Sequence, residues 1–235
     1  MAESPHHPEF WNVRYETGRM GWDLGRVPAK LLQHLAEHPA GGRVLIPGCG
    51  SGWELAAFVA AGWDAVALDF SPAAVALARS RQGPVLSDRI VLGDFFTHEF
   101  AGGPFDAIYE RTFFCALPLE RRPDYIQRVS SLLKSDGLLF GFFYLGTEAG
   151  GPPYALYPED DRRHFGSAFR IEGDEPSPDA LPIFAGKERW RLLRPAPPKI
   201  RFHSQKRAPG AILTSYVSPQ SFPRLQQPDH PASRR

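Results

Sequence analysis

Arg43-Val44-Leu45-Ile46-Pro47-Gly48-Cys49-Gly50-Ser51-Gly52-Trp53 is the stretch of this 235-residue chain that decides its fold. Arg43 to Pro47 is short, apolar and bounded by glycines, as a buried strand is. The glycines then let the backbone turn sharply and approach a ligand closely. From Trp53 to Ala61, Leu55, Phe58 and Val59 recur at helical spacing, and Gly62 stops the helix. Ala65 to Phe70 is the next strand. Ser71 is a good N-cap with Pro72 at the first helical position, which starts a helix to about Arg81. Further strands are predicted at Ile90–Leu92, Phe105–Tyr109 and Leu138–Leu145, with a helix over Pro123–Leu133 and a short one near Glu159–Phe165. Two late strands are predicted near Phe169–Glu172 and Lys187–Leu193. Alternating strands and helices predict an α/β fold: a Rossmann-like, mostly parallel seven-stranded sheet with helices on both faces.

Around this centre lie two segments of different character. Residues 9–38 are aromatic at first and read as helical from about Val27. Residues 195–235 hold eight prolines, seven Lys/Arg and one Asp, and no clear period. They read as a flexible basic tail, whose removal is expected to leave ligand binding intact. The division expected is residues 1–26, 27–194 and 195–235. The net charge is +1, so the chain without its tail carries −5. A nucleic-acid reader would show a basic face on its folded domain, and none is expected here. With 43% hydrophobic residues the core is substantial, and the longest apolar run, Leu138 to Leu145, is far too short to span a bilayer. The N-terminus lacks the pattern of a signal peptide, so a cytoplasmic location is expected. A monomer is the default expectation. Cys49 and Cys115 are too few for a disulfide framework and read as reduced thiols.

Four features point to a ligand at the strand ends. The turn is Gly-x-Gly-x-Gly, with Trp53 where a dinucleotide fingerprint has its third glycine, and it lacks the Lys and Ser/Thr of a P-loop. It suits a ligand end without phosphate, such as the amino-acid end of S-adenosylmethionine. Asp69 closes the second strand, 21 residues after Gly48, at the spacing of a ribose-binding acid. Ser71 supplies the cap of the following helix, which leaves Asp69 for another partner. Asp94, after the third strand, can accept from an adenine amino group with Phe95 packing on the ring, and it suits a plain turn equally well. Arg111, after the fourth strand, can hold a carboxylate or pair with a neighbouring acid.

Together these residues resemble the thiopurine S-methyltransferase family, with its related thiol, thiocyanate and halide methyltransferases. The resemblance is carried by Phe10-Trp11-Asn12-Val13-Arg14-Tyr15, Gly21-Trp22-Asp23-Leu24-Gly25, Pro47-Gly48-Cys49-Gly50 and Leu68-Asp69-Phe70-Ser71. It continues through Asp94-Phe95-Phe96, Tyr109 to Pro118, Gly151-Pro152-Pro153-Tyr154 and Leu181 to Trp190. It implies an enzyme with S-adenosylmethionine as cofactor and residues 1–26 as a lid over it. Trp11, Tyr15 and Trp22 match cofactor-contacting positions of that lid, and Gly48, Asp69, Asp94, Phe95 and Arg111 match others. Gly50 belongs to the same turn. Some plant members carry an aromatic residue where this chain has Arg111, which draws it toward the thiopurine or bacterial branch.

The expected reaction is methylation of sulfur in a small, aromatic or heterocyclic thiol. Thiocyanate, halide, selenium or tellurium species are the alternatives, since all are soft nucleophiles. A thiolate is already the reactive form, so no dedicated base is expected. No cluster has metal-ligand spacing, and His6, His7 and His34 read as solvent-facing or packed. Phe113, Phe114 and Tyr144 are candidates for the walls of the acceptor pocket, although aromatic residues at strand ends are as often simple core. Two other classes stay open: a module that binds the cofactor without catalysis, and a nicotinamide oxidoreductase, which Trp53 speaks against.

Overall fold

A computed structural model of the chain describes residues 4–38, 41–184 and 186–197. Seven strands form one sheet: β1 Arg43–Pro47, β2 Asp64–Asp69, β3 Ile90–Leu92, β4 Phe105–Arg111, β5 Leu133–Tyr144, β6 Phe169–Pro176 and β7 Glu188–Pro195. Their spatial order is β3-β2-β1-β4-β5-β7-β6. The first five pair in parallel, and β7 runs antiparallel to both β5 and β6. The chain thus winds outward from β1 to β3, returns to β4 and winds the other way. The switch between β1 and β4 opens a crevice at their carboxyl ends, where open α/β sheets bind ligands.

Alternation along the strands fills both faces of the sheet. Val44 and Ile46 of β1, Ala107 and Tyr109 of β4, and Phe140 and Phe142 of β5 pack on one face. That face is covered by the helices α2 (Ala29–Glu37), α3 (Trp53–Ala60) and α4 (Pro72–Leu86) through Leu31, Leu35, Leu55, Phe58 and Val75. Leu45, Ile108, Leu139 and Phe143 point the other way, against Tyr125, Ile126 and Val129 of α5 (Arg122–Leu132) and Phe165, just after α6 (Pro158–His164). Each fully buried large apolar side chain contributes about 1.5–3 kcal/mol. His34 is a packed side chain, 4.8 Å from the Phe140 ring and 5.3 Å from Trp190.

Several boundaries differ from the sequence reading, among them that of β6, which runs on to Pro176 rather than Glu172. The aromatic N-terminal segment is itself helical, α1 spanning Pro8–Glu16. α4 runs on to Leu86 across a break at Gly83, where φ is 69°. β4 includes Glu110 and Arg111, so Arg111 ends the strand rather than following it. β5 begins at Leu133 instead of Leu138; Phe105 pairs with Leu133, and a register shift then carries Ala107 to Leu138. Pro195 closes β7, and Ala196 donates to the Ala168 carbonyl at 2.8 Å. The rest of the expected tail, residues 198–235, lies outside the described residues, as do Met1 to Glu3 of the expected lid. Among the described residues no helix is long and apolar enough to cross a membrane.

Candidate active site

A cavity of about 500 Å³ lies over the carboxyl ends of the parallel strands. The turn after β1 forms its floor. Gly48 and Gly50 have φ of 58° and 51°, a region that favours glycine. A side chain on Gly48 would run into the Phe113 ring, and one on Gly50 would lie 2.7 Å from the Tyr15 hydroxyl. The turn is therefore a cradle kept open by absent side chains and closed over from two directions.

Asp69, at the end of β2, is 6% exposed and faces this turn. It is not free, as the capping role of Ser71 had suggested. One oxygen accepts from the Gly50 N–H and the other from the Ser71 N–H, both at 2.9 Å. Ser71 does cap α4, accepting from the Ala74 N–H at 3.1 Å. Burial pushes the Asp69 carboxyl up to about 6, against the pull of those N–H groups. Each carboxylate oxygen still has a lone pair for a ligand hydroxyl. Asp94 also lines the cavity, and its Oδ1 accepts from the Phe96 N–H at 2.9 Å, so it closes a turn as well. Phe95 is buried, with its ring 5.3 Å from Phe113.

Arg111 closes β4 with its guanidinium 4.6 Å over the Phe142 ring. Its Nη1 and Nη2 are buried and donate to nothing among the described residues. The nearest acid, Glu188, is 3.8 Å away, beyond hydrogen-bond reach. Burial pushes Glu188 up to about 7 against the Arg111 charge, and the same holds for Glu54. A buried guanidinium with orphaned donors is costly unless a ligand completes it. Its planar fork matches a carboxylate, so a cradle for the amino-acid end of S-adenosylmethionine fits the residues present. Thr112, next in the chain, has φ of 58° and is the one non-glycine with positive φ among the described residues. The strain is held by Glu110, whose Oε1 accepts from the Phe113 and Phe114 N–H groups at 2.9 and 2.7 Å.

The N-terminal segment covers the crevice. Trp11 and Tyr15 are one helical turn apart on α1, and both meet Trp22 edge to face, at 5.5 and 5.9 Å. Two side chains latch the segment to the sheet. Asn12 Oδ1 accepts from the Ser71 Oγ at 2.6 Å and the Ala73 N–H at 3.2 Å. Asp23 accepts from Ser51 Oγ, and from Trp53 Nε1 at 2.8 Å. Trp53 thus donates to the N-terminal segment from the place where a dinucleotide fold carries its third glycine.

Trp11, Tyr15, Trp22, Gly48, Gly50, Asp69, Asp94, Phe95 and Arg111 all line this one cavity, and so does Phe113. Phe114 and Tyr144 do not. Phe114 is 2% exposed and packs on Tyr125 and Phe165 in the core. Tyr144 stacks on Phe184, and its hydroxyl donates to Glu148 at 2.9 Å. Phe114 belongs to the core on the α5 face and Tyr144 to a small cluster behind Phe184, which a linear sequence does not reveal. Sequence reading missed Asp23, Glu54 and Thr112. The Gly-Trp-Asp run beside two other aromatic residues was a signal for the first; nothing local marks the other two. No group of three His, Cys, Asp or Glu side chains is placed to hold a metal among the described residues.

This sheet order, with a glycine turn after β1, an acid closing β2 and a helical cover, defines a class I S-adenosylmethionine-dependent methyltransferase. The fold is shared with 1,6-didemethyltoxoflavin-N1-methyltransferase of Burkholderia thailandensis, at a TM-score of 0.61 and 18% identity over 83% of this chain and 92% of that one. A TehB-like S-adenosylmethionine-dependent methyltransferase from Corynebacterium glutamicum gives 0.58 and 17% over 82% and 100%. The chain belongs to the thiopurine S-methyltransferase family, whose model matches residues 6–194. It is 33% identical to thiocyanate methyltransferase 1 of Arabidopsis thaliana, over 78% of this chain and 84% of that protein. A probable thiol methyltransferase 2 of Arabidopsis thaliana is 37% identical over 62% and 66%, and a thiopurine S-methyltransferase of Pseudomonas aeruginosa 30% identical over 70% and 84%. The nicotinamide reading of the glycine turn is thereby set aside.

Proposed function

We propose that this S-methyltransferase acts on a small aromatic or heterocyclic thiol, bound beside a cofactor held by Gly48, Gly50, Asp69, Asp94, Phe95 and Arg111 under Trp11, Tyr15 and Trp22. The observation that carries the reading is the convergence of these nine residues, from five segments of the chain, on one cavity. In this reading Arg111 takes the methionine carboxylate, Asp69 the ribose and Asp94 the adenine, in the spatial order β4, β2, β3. Bound S-adenosylmethionine supplies a methyl group already activated by a positive sulfur. The lid aromatics offer ring faces to that charge and exclude water. Orientation alone lowers such a barrier by roughly 7–11 kcal/mol, so the protein's task is positioning. No residue is assigned as a base. Residues 1–26 act as the lid and 27–194 as the catalytic domain.

The remaining walls combine apolar side chains with Arg14, Arg26 and Arg121, which suits an acceptor with an apolar body and a thiolate. Leu24, Leu117, Pro152, Pro153, Ile183 and Phe184 line the cavity, several of them beyond the ends of β4 and β5. The relationship to thiocyanate methyltransferases favours a second reading, a small soft anion as acceptor. Labelled methyl transfer to an aromatic thiol, a thiopurine, thiocyanate, iodide and a catechol separates them. Transfer to the aromatic sulfur acceptors with the catechol silent is expected. Transfer to thiocyanate or iodide alone would replace the thiol reading by the anion one. Cofactor binding with no transfer at all would favour a non-catalytic module.

A further inference from the structure

Four carboxylates line the cavity: Asp23, Glu54, Asp69 and Asp94. Three are engaged by donors from other residues. Asp23 is held by Gly25, Ser51 and Trp53, Asp69 by Gly50 and Ser71, and Asp94 by Phe96. Glu54, the second residue of α3, is 8% exposed, and among the described residues its one hydrogen-bond donor is its own backbone N–H. It lies close enough to Arg111 and to the Tyr109 hydroxyl to act electrostatically on both. Arg111 Nη1 and Nη2 and the Tyr109 hydroxyl are themselves buried and have no hydrogen-bond partner among the described residues.

The wall thus carries a buried guanidinium whose Nη1 and Nη2 have no hydrogen-bond partner, and a buried carboxylate with no donor from another residue, among the described residues. A surface acid in the first turn of a helix needs no ligand, since it interacts with the helix N-terminus and water. A buried one with no donor from another residue is costly, and the cost falls when a cation with N–H groups arrives. An adjacent pair of opposite sign is the complement of a zwitterion. Arg111 matches its carboxylate in planar fork geometry, and Glu54 matches its ammonium.

Building on the cofactor placement proposed above, we infer that Glu54 binds the α-ammonium of the methionine end of S-adenosylmethionine. Arg111 and Glu54 then read the amino acid as a pair, and Glu54 selects against ligands that keep the carboxylate but lack the amine.

The test uses isothermal calorimetry on the full chain with S-adenosylhomocysteine and its deaminated analogue, which retains the carboxylate. Wild type is expected to prefer the former by roughly ten-fold to a hundred-fold, the range of hydrogen bonds to charged groups. Glu54→Gln is expected to bind both within a few-fold of each other. This variant keeps the shape of a carboxyl that burial already pushes up to about 7, so folding is expected to survive, as its melting curve will report. Retained discrimination in Glu54→Gln would overturn the inference. Equal weakening of both ligands would do the same, by marking Glu54 as structural. Asp69→Ala separates the inference from the placement beneath it. If Asp69→Ala weakens both ligands while Glu54→Gln still discriminates, Glu54 alone was misassigned. If Asp69→Ala changes neither affinity, the cofactor placement falls and the role of Glu54 with it.

Discussion

At the scale of single residues, Asp69 and Gly48 carry the clearest consequences. Asp69 fixes the glycine turn through the Gly50 N–H and faces the cavity with its remaining lone pairs. Asp69→Ala is expected to weaken cofactor binding by roughly 1–3 kcal/mol, the cost of a lost buried hydrogen-bond partner. An unchanged dissociation constant by calorimetry would remove the ribose assignment. Gly48→Ala combines a positive φ with a collision against Phe113. The backbone term alone is about 1–2 kcal/mol. Moving Phe113 also disturbs the cavity wall, so both a lower melting midpoint and weaker cofactor binding are expected. Wild-type values for both would show that the turn tolerates a side chain. Gly48 and Asp69 were legible because their spacing from a strand follows from backbone geometry. Glu54 was not, because Trp53-Glu54-Leu55 reads as an ordinary first helical turn. The charge that acts on it is that of Arg111, which β4 brings in from far along the chain.

At the scale of elements, the sheet was legible and the lid only in part. Strands β1 to β3 and their helices announce themselves by apolar runs and glycine punctuation. The helical state of α1 was hidden, because Glu9, Asn12, Arg14 and Glu16 interrupt its apolar period. What holds α1 is tertiary: Asn12 accepts from the first turn of α4, and Asp23 accepts from Ser51 and Trp53 at the start of α3. Each latch satisfies donors at a helix start that would otherwise face the crevice. Asp23→Ala removes one latch and leaves Trp53 Nε1 and Ser51 Oγ without their acceptor. Opening of the lid is then expected to become easier by about 1–3 kcal/mol. Hydrogen exchange checks this. Amides of Val13 to Trp22 should exchange roughly ten-fold or more faster, while those of β1 and β4 stay protected. Equal exchange in variant and wild type would mean that the lid is held by its aromatic contacts alone.

At the scale of the whole molecule, buried acid is concentrated around the end of β4, and this gives folding an unusual dependence on pH. Glu54, Glu110 and Glu188 are each pushed up to about 7, by burial above all. Glu110 is fully buried, with its oxygens taken by two backbone N–H groups and the Tyr125 hydroxyl. A carboxyl whose folded-state value lies above its ordinary one binds its proton more tightly in the folded chain. Its contribution is therefore fully present below about 4.5 and is lost as pH rises through 7. His34 acts in the opposite sense: burial lowers it to about 4, so its contribution is present above 6.5 and is lost as pH falls toward 4. The paired surface carboxylates, such as Asp64 and Glu172, are lowered and exert their effect only in acid. Above pH 6.5 the three buried glutamates therefore dominate. The ligand-free protein is expected to lose about 1–2 kcal/mol between pH 6.5 and 8. That loss lowers the melting midpoint by a few degrees for a chain of this size. Glu110→Gln, which cannot ionise, is expected to flatten the slope in the same window. A midpoint that holds steady or rises from pH 6.5 to 8 would mean that these glutamates find water or a cation in solution. The buried glutamates around the end of β4 would then not set the pH dependence of folding.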